Sequence, residues 1–180
     1  NGGYINVDGR HAYSLSTFDP SGKLDQVTYA AQAAALGTPV VAVCRRGTNG
    51  DGILLASPQV LPSLLVDDDG TARFARISGT ILVTHSGLSA DGRVLVAAAQ
   101  QVAIEHEYTY DESIPVHLFL EEMALLFQEY TMKANARPFG VTLIVAHLPS
   151  QSSSSRVGPQ LFRIDPSGAF ASLGPYVIIN

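Results

Sequence analysis

Apolar and polar positions alternate along this chain in two distinct rhythms, and the rhythm switches several times. Residues 25–36 are almost all helix-favouring, and five of them are alanine, so a helix is expected there. The turn signal Asp19-Pro20-Ser21-Gly22 stands before it, and Gly37 is expected to end it as a C-terminal stop. A helix so rich in alanine buries little apolar area alone, so its stability is expected from something it lies on, a partner subunit in this reading. Residues 38–45 and 52–57 are short β-branched runs around RGTNGD and read as a buried hairpin. Residues 73–77 and 80–85 read as a second strand pair turning at Ser78-Gly79.

A long helix is expected next, capped by Ser89, with Asp91 in its first turn and its end near His106. Leu95, Ala98, Ala99 and Val102 form its apolar stripe. The following helix is expected to be capped by Ser113, with Pro115 near its first position. Val116, Phe119, Leu120, Met123, Phe127 and Tyr130 recur along it at three- and four-residue steps, which marks a core-facing stripe rather than a cofactor box. Residues 141–147 read as a strand. Residues 161–164 and 169–173 read as two more, joined at Asp165-Pro166-Ser167-Gly168, and residues 176–179 form a last apolar run. Residues 1–10 are rich in Gly and Asn, residues 58–69 are broken by Pro58 and Pro62, and residues 149–158 are a polar serine tract; all three read as loop or disorder.

The composition narrows what such a domain does. In 180 residues, 46% are hydrophobic and only 15% charged, which is little charge for a free surface and points to burial by partners. A net charge of −5 argues against a nucleic-acid partner, and no apolar run has membrane-spanning length. The lone Cys44 forms no internal disulfide, fits a reducing compartment, and is expected to be a buried inert thiol. Asp67-Asp68-Asp69-Gly70 lacks the alternating ligands and distal Glu of a calcium loop and reads as a solvated turn. The five histidines show no metal-ligand spacing, and no Gly-x-Ser-x-Gly elbow exists. Neither a metal nor a cofactor is expected.

One string carries more than periodicity. Phe18, Pro20, Gly22, Lys23, Leu24, Gln26, Val27, Tyr29, Ala30 and Ala33 stand at the spacing of a signature that resembles the alpha-type subunits of the proteasome core particle. HSGLSADGRVLV, the pair Gln128-Glu129-Tyr130-Thr131 and Arg137-Pro138-Phe139-Gly140-Val141, and LFRIDPSGAF resemble the same family. Among eukaryotic alpha types the resemblance is nearest to the second, which also lacks a Tyr-Asp-Arg triplet before the arm. The resemblance implies an α+β fold, an N-terminal nucleophile hydrolase-type αββα sandwich of two antiparallel sheets, here apparently missing its C-terminal helix layer. It implies a gate segment at residues 1–12 and one alpha-type domain at 13–180.

It also implies roles for particular residues. The gate and ring contacts fall on His11, Pro20 and Tyr29, with Ala12 and Tyr13 completing the positions of the missing triplet. Arg73 stands where alpha subunits present a lysine to the C-terminal carboxylate of an activator's tail, and a guanidinium keeps that charge. The helical hairpin is implied to hold the alpha ring on the beta ring. The implied partners are other alpha subunits, beta subunits and a regulatory particle or activator, in ubiquitin-dependent degradation in the cytoplasm and nucleus. The sister beta subunits cut with a threonine freed at a Gly-Thr bond, and Gly37-Thr38 stands at that place. Thr38 is internal, however, so its nitrogen is an amide. The lysine position falls on Arg73, which does not shuttle protons, and the aspartate position on Pro58. No catalytic residue is therefore expected. The alternatives are a threonine peptidase acting through Thr38, and a shortened paralogue that binds ring subunits outside mature particles.

Overall fold

The computed structural model describes residue 18 and residues 22–47, 50–58, 73–133, 136–149 and 157–179. Three helices are described: α1 (Asp25–Ala35), α2 (Ser89–Tyr110) and α3 (Val116–Met132). Eight strands are described: β1 (Val40–Arg45), β2 (Gly52–Ala56), β3 (Phe74–Arg76), β4 (Ile81–Gly87), β5 (Val141–His147), β6 (Gln160–Ile164), β7 (Phe170–Leu173) and β8 (Tyr176–Ile179). They form two antiparallel sheets, ordered β2-β1-β8 and β3-β4-β5-β6-β7.

Strand β5 explains how the layers stack. Its side chains alternate, as the pleat requires. Val141, Leu143 and Val145 join a core with Leu95 and Ala99 of α2 and Phe119, Met123 and Phe127 of α3. Ile144 and Ala146 point the other way, to Val40, Ala42, Leu161 and Ile179 between the two sheets. A strand buried on both faces reads as a continuous apolar run, and VTLIVAH is one. Phe139 closes the helix-side core, edge-on to Phe127 at 5.5 Å and 4.4 Å from the Tyr130 ring.

The outer face of the three-stranded sheet is apolar too. Val41, Val43, Leu54, Tyr176 and Ile178 share it in register and are exposed, with no described helix over them. The described layers are thus helix, sheet, sheet.

Several local expectations need correction. Neither long helix is capped by the serine its sequence offers. Leu88 is the N-cap of α2 and Pro115 that of α3, without side-chain capping bonds. The Leu88 N–H instead donates to the Gly140 carbonyl at 3.0 Å, so a cross-connection sets the start of α2. Helix α2 also continues past His106 to Tyr110, until Asp111 turns left-handed at φ 55°. Cys44 is half-buried rather than fully buried, and burial raises its thiol pKa while Arg46 opposes that rise.

Helix α1 has a seat within its own domain. Gly37 has no left-handed conformation; it is glycine because a Cβ there would run into the backbone of Gly87. Gly87, at φ 118°, lies 3.1 Å in the same sense from the Cα of Ala34, and a Cβ on Gly140 would come 3.4 Å from that of Ala33. The alanines of α1 therefore rest on a glycine-lined patch of their own domain, at β4 and β5. Only Ala30 and Ala34 of the helix are buried. Tyr29, Gln32, Ala35 and Leu36 on its other side are exposed.

Candidate functional site

The link from α1 into β1 runs through Gly37, Thr38 and Pro39, at the mouth between the sheets. Four polar side chains from four segments converge there. Arg73, just before β3, donates from Nη2 to the Thr38 hydroxyl at 2.9 Å and from Nη1 to the Ser57 hydroxyl at 3.0 Å. Ser57, just after β2, donates its own hydroxyl hydrogen bond to the Pro39 carbonyl at 2.9 Å. Ser86 of β4 donates to the Thr38 carbonyl at 3.1 Å. Thr84, two residues back on the same face of β4, is fully buried with its hydroxyl unpartnered.

Behind this cluster, His85 points to the helix side and packs on Gly92. Burial, and secondarily the charge of Arg73, push its pKa below the usual histidine value. His85 is accordingly neutral at pH 7.

What this arrangement can do follows from its donors. A threonine acting as a nucleophile needs a group that takes its proton. Here the hydroxyl oxygen of Thr38 receives a hydrogen bond from a guanidinium, which holds its proton at any neutral pH. The Thr38 nitrogen is a peptide nitrogen between Gly37 and Pro39. The same guanidinium meets no carboxylate among the described residues, so it carries a positive charge into a partly buried mouth.

The expected site residues do not all gather. Thr38 and Arg73 are brought into direct contact. Tyr29 stands apart on the exposed side of α1. His11 and Pro20, the segment 1–12 and the Asp67-Asp68-Asp69-Gly70 turn lie outside the described residues. Pro58, at the aspartate position, is exposed and supplies no acid. Among the described residues no group of His, Cys, Asp and Glu is placed to hold a metal, and no helix is long and apolar enough to cross a membrane.

Sequence reasoning missed Ser57 and Ser86; nothing in a strand-end serine announces its contact with Arg73 or with the Thr38 carbonyl. It also missed the pairing of Asp91 with Arg137. Arg137 binds both carboxylate oxygens of Asp91, at 2.6 and 2.8 Å, and the Gly140 N–H donates to the same group at 3.0 Å. Both residues stood in recognisable motifs, but their pairing spans 46 residues.

The two stacked antiparallel sheets, with helices on the outside of one and a threonine at the mouth between them, define an N-terminal nucleophile hydrolase-type sandwich. A family model described as proteasome subunit matches residues 34–179. Proteasome subunit alpha type-2 of Caenorhabditis elegans is 38% identical over 160 residues, covering 89% of this chain and 64% of that protein. Proteasome subunit alpha type-2-A of Arabidopsis thaliana is 36% identical over 165 residues, covering 92% of this chain and 66% of that protein. Proteasome subunit alpha type-2 of Oryza sativa subsp. japonica is 35% identical over the same length and shares. The chain belongs to the proteasome subunit family. It spans about two thirds of the length of these relatives.

Proposed function

We propose that this chain is a non-catalytic alpha-type subunit of the proteasome core ring, which shapes the substrate entry pore, docks activators and helps assemble the peptidase ring in ubiquitin-dependent degradation, in cytoplasm and nucleus. The observation that carries the reading is the state of Thr38: an internal residue whose hydroxyl is held by Arg73. The exposed side of α1, with Tyr29 and Leu36, adds to it as a surface for a ring neighbour. His11 and Pro20 join Tyr29 as gate contacts in this reading, and Arg73 takes an activator's terminal carboxylate. A threonine peptidase working through Thr38 finds no support in a hydroxyl bound to an arginine.

Native mass spectrometry of the endogenous assembly tests the proposal. The chain is expected in a closed ring with other alpha-type subunits; recovery only as a free monomer would overturn the reading. Replacing Thr38 with Ala in the assembled particle should leave peptide hydrolysis unchanged, and lost hydrolysis would restore the peptidase reading. Arg73→Ala should weaken capture of a peptide carrying an activator-type carboxyl terminus by about tenfold, as loss of a charge-assisted hydrogen bond predicts. Equal binding by both proteins would make Arg73 a structural clamp only.

A further inference from the structure

Arg137 is bound by Asp91 and Arg163 by Asp165, so a carboxylate cancels each of those charges. Arg73 is held differently, by the neutral hydroxyls of Thr38 and Ser57. Hydroxyls fix a guanidinium without neutralising it. Its field is felt nearby: after burial, the charge of Arg73 is what lowers the pKa of His85. The planar fork has five N–H donors, and the two hydroxyls take one from each Nη. The remaining donors meet no carboxylate among the described residues.

Ser57 is itself tied down. Its hydroxyl has one proton, which goes to the Pro39 carbonyl at 2.9 Å, so only its lone pairs face Arg73. Pro39 stands at the entry of β1, and Ser57 directly follows the β1–β2 ladder, which ends on the pair of Val41 and Ala56. A relay from the Pro39 carbonyl through the Ser57 hydroxyl to Arg73 therefore anchors a long side chain to the backbone of the sheet. An unheld arginine gives up rotamer freedom when it binds an anion; one already held gives up less.

We propose that Ser57 is a positioning residue for Arg73: its hydroxyl presets the guanidinium to take a free carboxylate at a peptide's C-terminus in preference to a carboxamide. The role rests on the reading of Arg73 as a carboxylate anchor, and adds what aims it. A carboxylate offers the fork two charged acceptors. A carboxamide offers one neutral acceptor and an amide group whose donors face like donors. The preference between the two thus measures how well the fork is aimed.

The test uses one fluorescein-labelled peptide, the C-terminal segment of an activator subunit, made with a free carboxylate and as its carboxamide. Both are titrated against the chain in its native assembly. Wild type should bind the carboxylate about tenfold more tightly, and Arg73→Ala should abolish the preference. Ser57→Ala should cut the preference to about two- to threefold, and Ser57→Thr, which restores a hydroxyl, should recover it. A merely structural defect would weaken both peptides alike and leave their ratio unchanged. A wild type without preference, or a preference that survives Arg73→Ala, would overturn the carboxylate reading and the role of Ser57 with it. A preference lost in Arg73→Ala but kept in Ser57→Ala, or lost in Ser57→Ala and not recovered by Ser57→Thr, would overturn the role of Ser57 alone.

Discussion

Gly87→Ala is expected to unfold the support of α1, at a cost of at least about 3 kcal/mol, because it combines a forbidden conformation with a backbone collision. Gly87 sits at φ 118°, where side chains are strained whatever the space around them. A Cβ there would also strike the Gly140 carbonyl and come 3.0 Å from the Cα of Val141 and 3.1 Å from the Cα of Ala34. All three are backbone atoms, so none can swing aside as a side-chain end would. Relief requires β4 and β5 to part or α1 to lift. For a domain of this size the melting midpoint should fall by roughly 10 °C. Limited proteolysis should open first within residues 25–37. Gly79→Ala provides the control: nothing lies within 4 Å of a Cβ there, and its melting point should stay near that of the wild type. A Gly87→Ala protein melting with the control would mean that α1 is not seated as closely as described.

That seat also marks how far the sequence could be read. The pattern of Ala30, Ala33 and Ala34 announces a helix suited to close approach, and the glycines at 37, 87 and 140 announce breaks. Nothing local states that the two sets meet, because the contact joins α1 to residues 87 and 140, far along the chain. The elements whose own periodicity decides them were legible. The stripe of α3 and the seven residues of β5 are found where helical spacing and an unbroken apolar run put them. Cap residues were not, since the Leu88 N–H donates to the distant Gly140 carbonyl and the hydroxyl of Ser89 caps nothing. Of the candidate site, Thr38 and Arg73 were legible through the family pattern. Ser57 and Ser86 were not, because a serine at a strand end reveals its partner only when strands from distant segments are laid side by side.

Asp91→Ala should be nearly as damaging, by about 3 kcal/mol at pH 7, for a reason that is electrostatic rather than steric. The carboxylate takes both Nη groups of Arg137 and the N–H of Gly140, which ties the first turn of α2 to the entry of β5. Truncation strands the buried Gly140 N–H and leaves Arg137 without its partner. Asp91→Asn keeps an oxygen for Gly140 and should cost less, about 1–2 kcal/mol. The difference should depend on pH in one direction only. The Arg137 hydrogen bond, opposed by burial and assisted by the Gly140 N–H and the arginine's charge, holds Asp91 below the ordinary carboxylate value. A folded-state pKa lower than the unfolded one stabilises fully above the unfolded value, about 4, and the gain disappears as pH falls through the folded value. The gap between wild type and Asp91→Asn in urea denaturation should therefore be flat from about pH 7 to 5 and close below about pH 4. A gap that stays constant to about pH 2 would show that the charge of Asp91 contributes nothing, and that its oxygens serve only as acceptors.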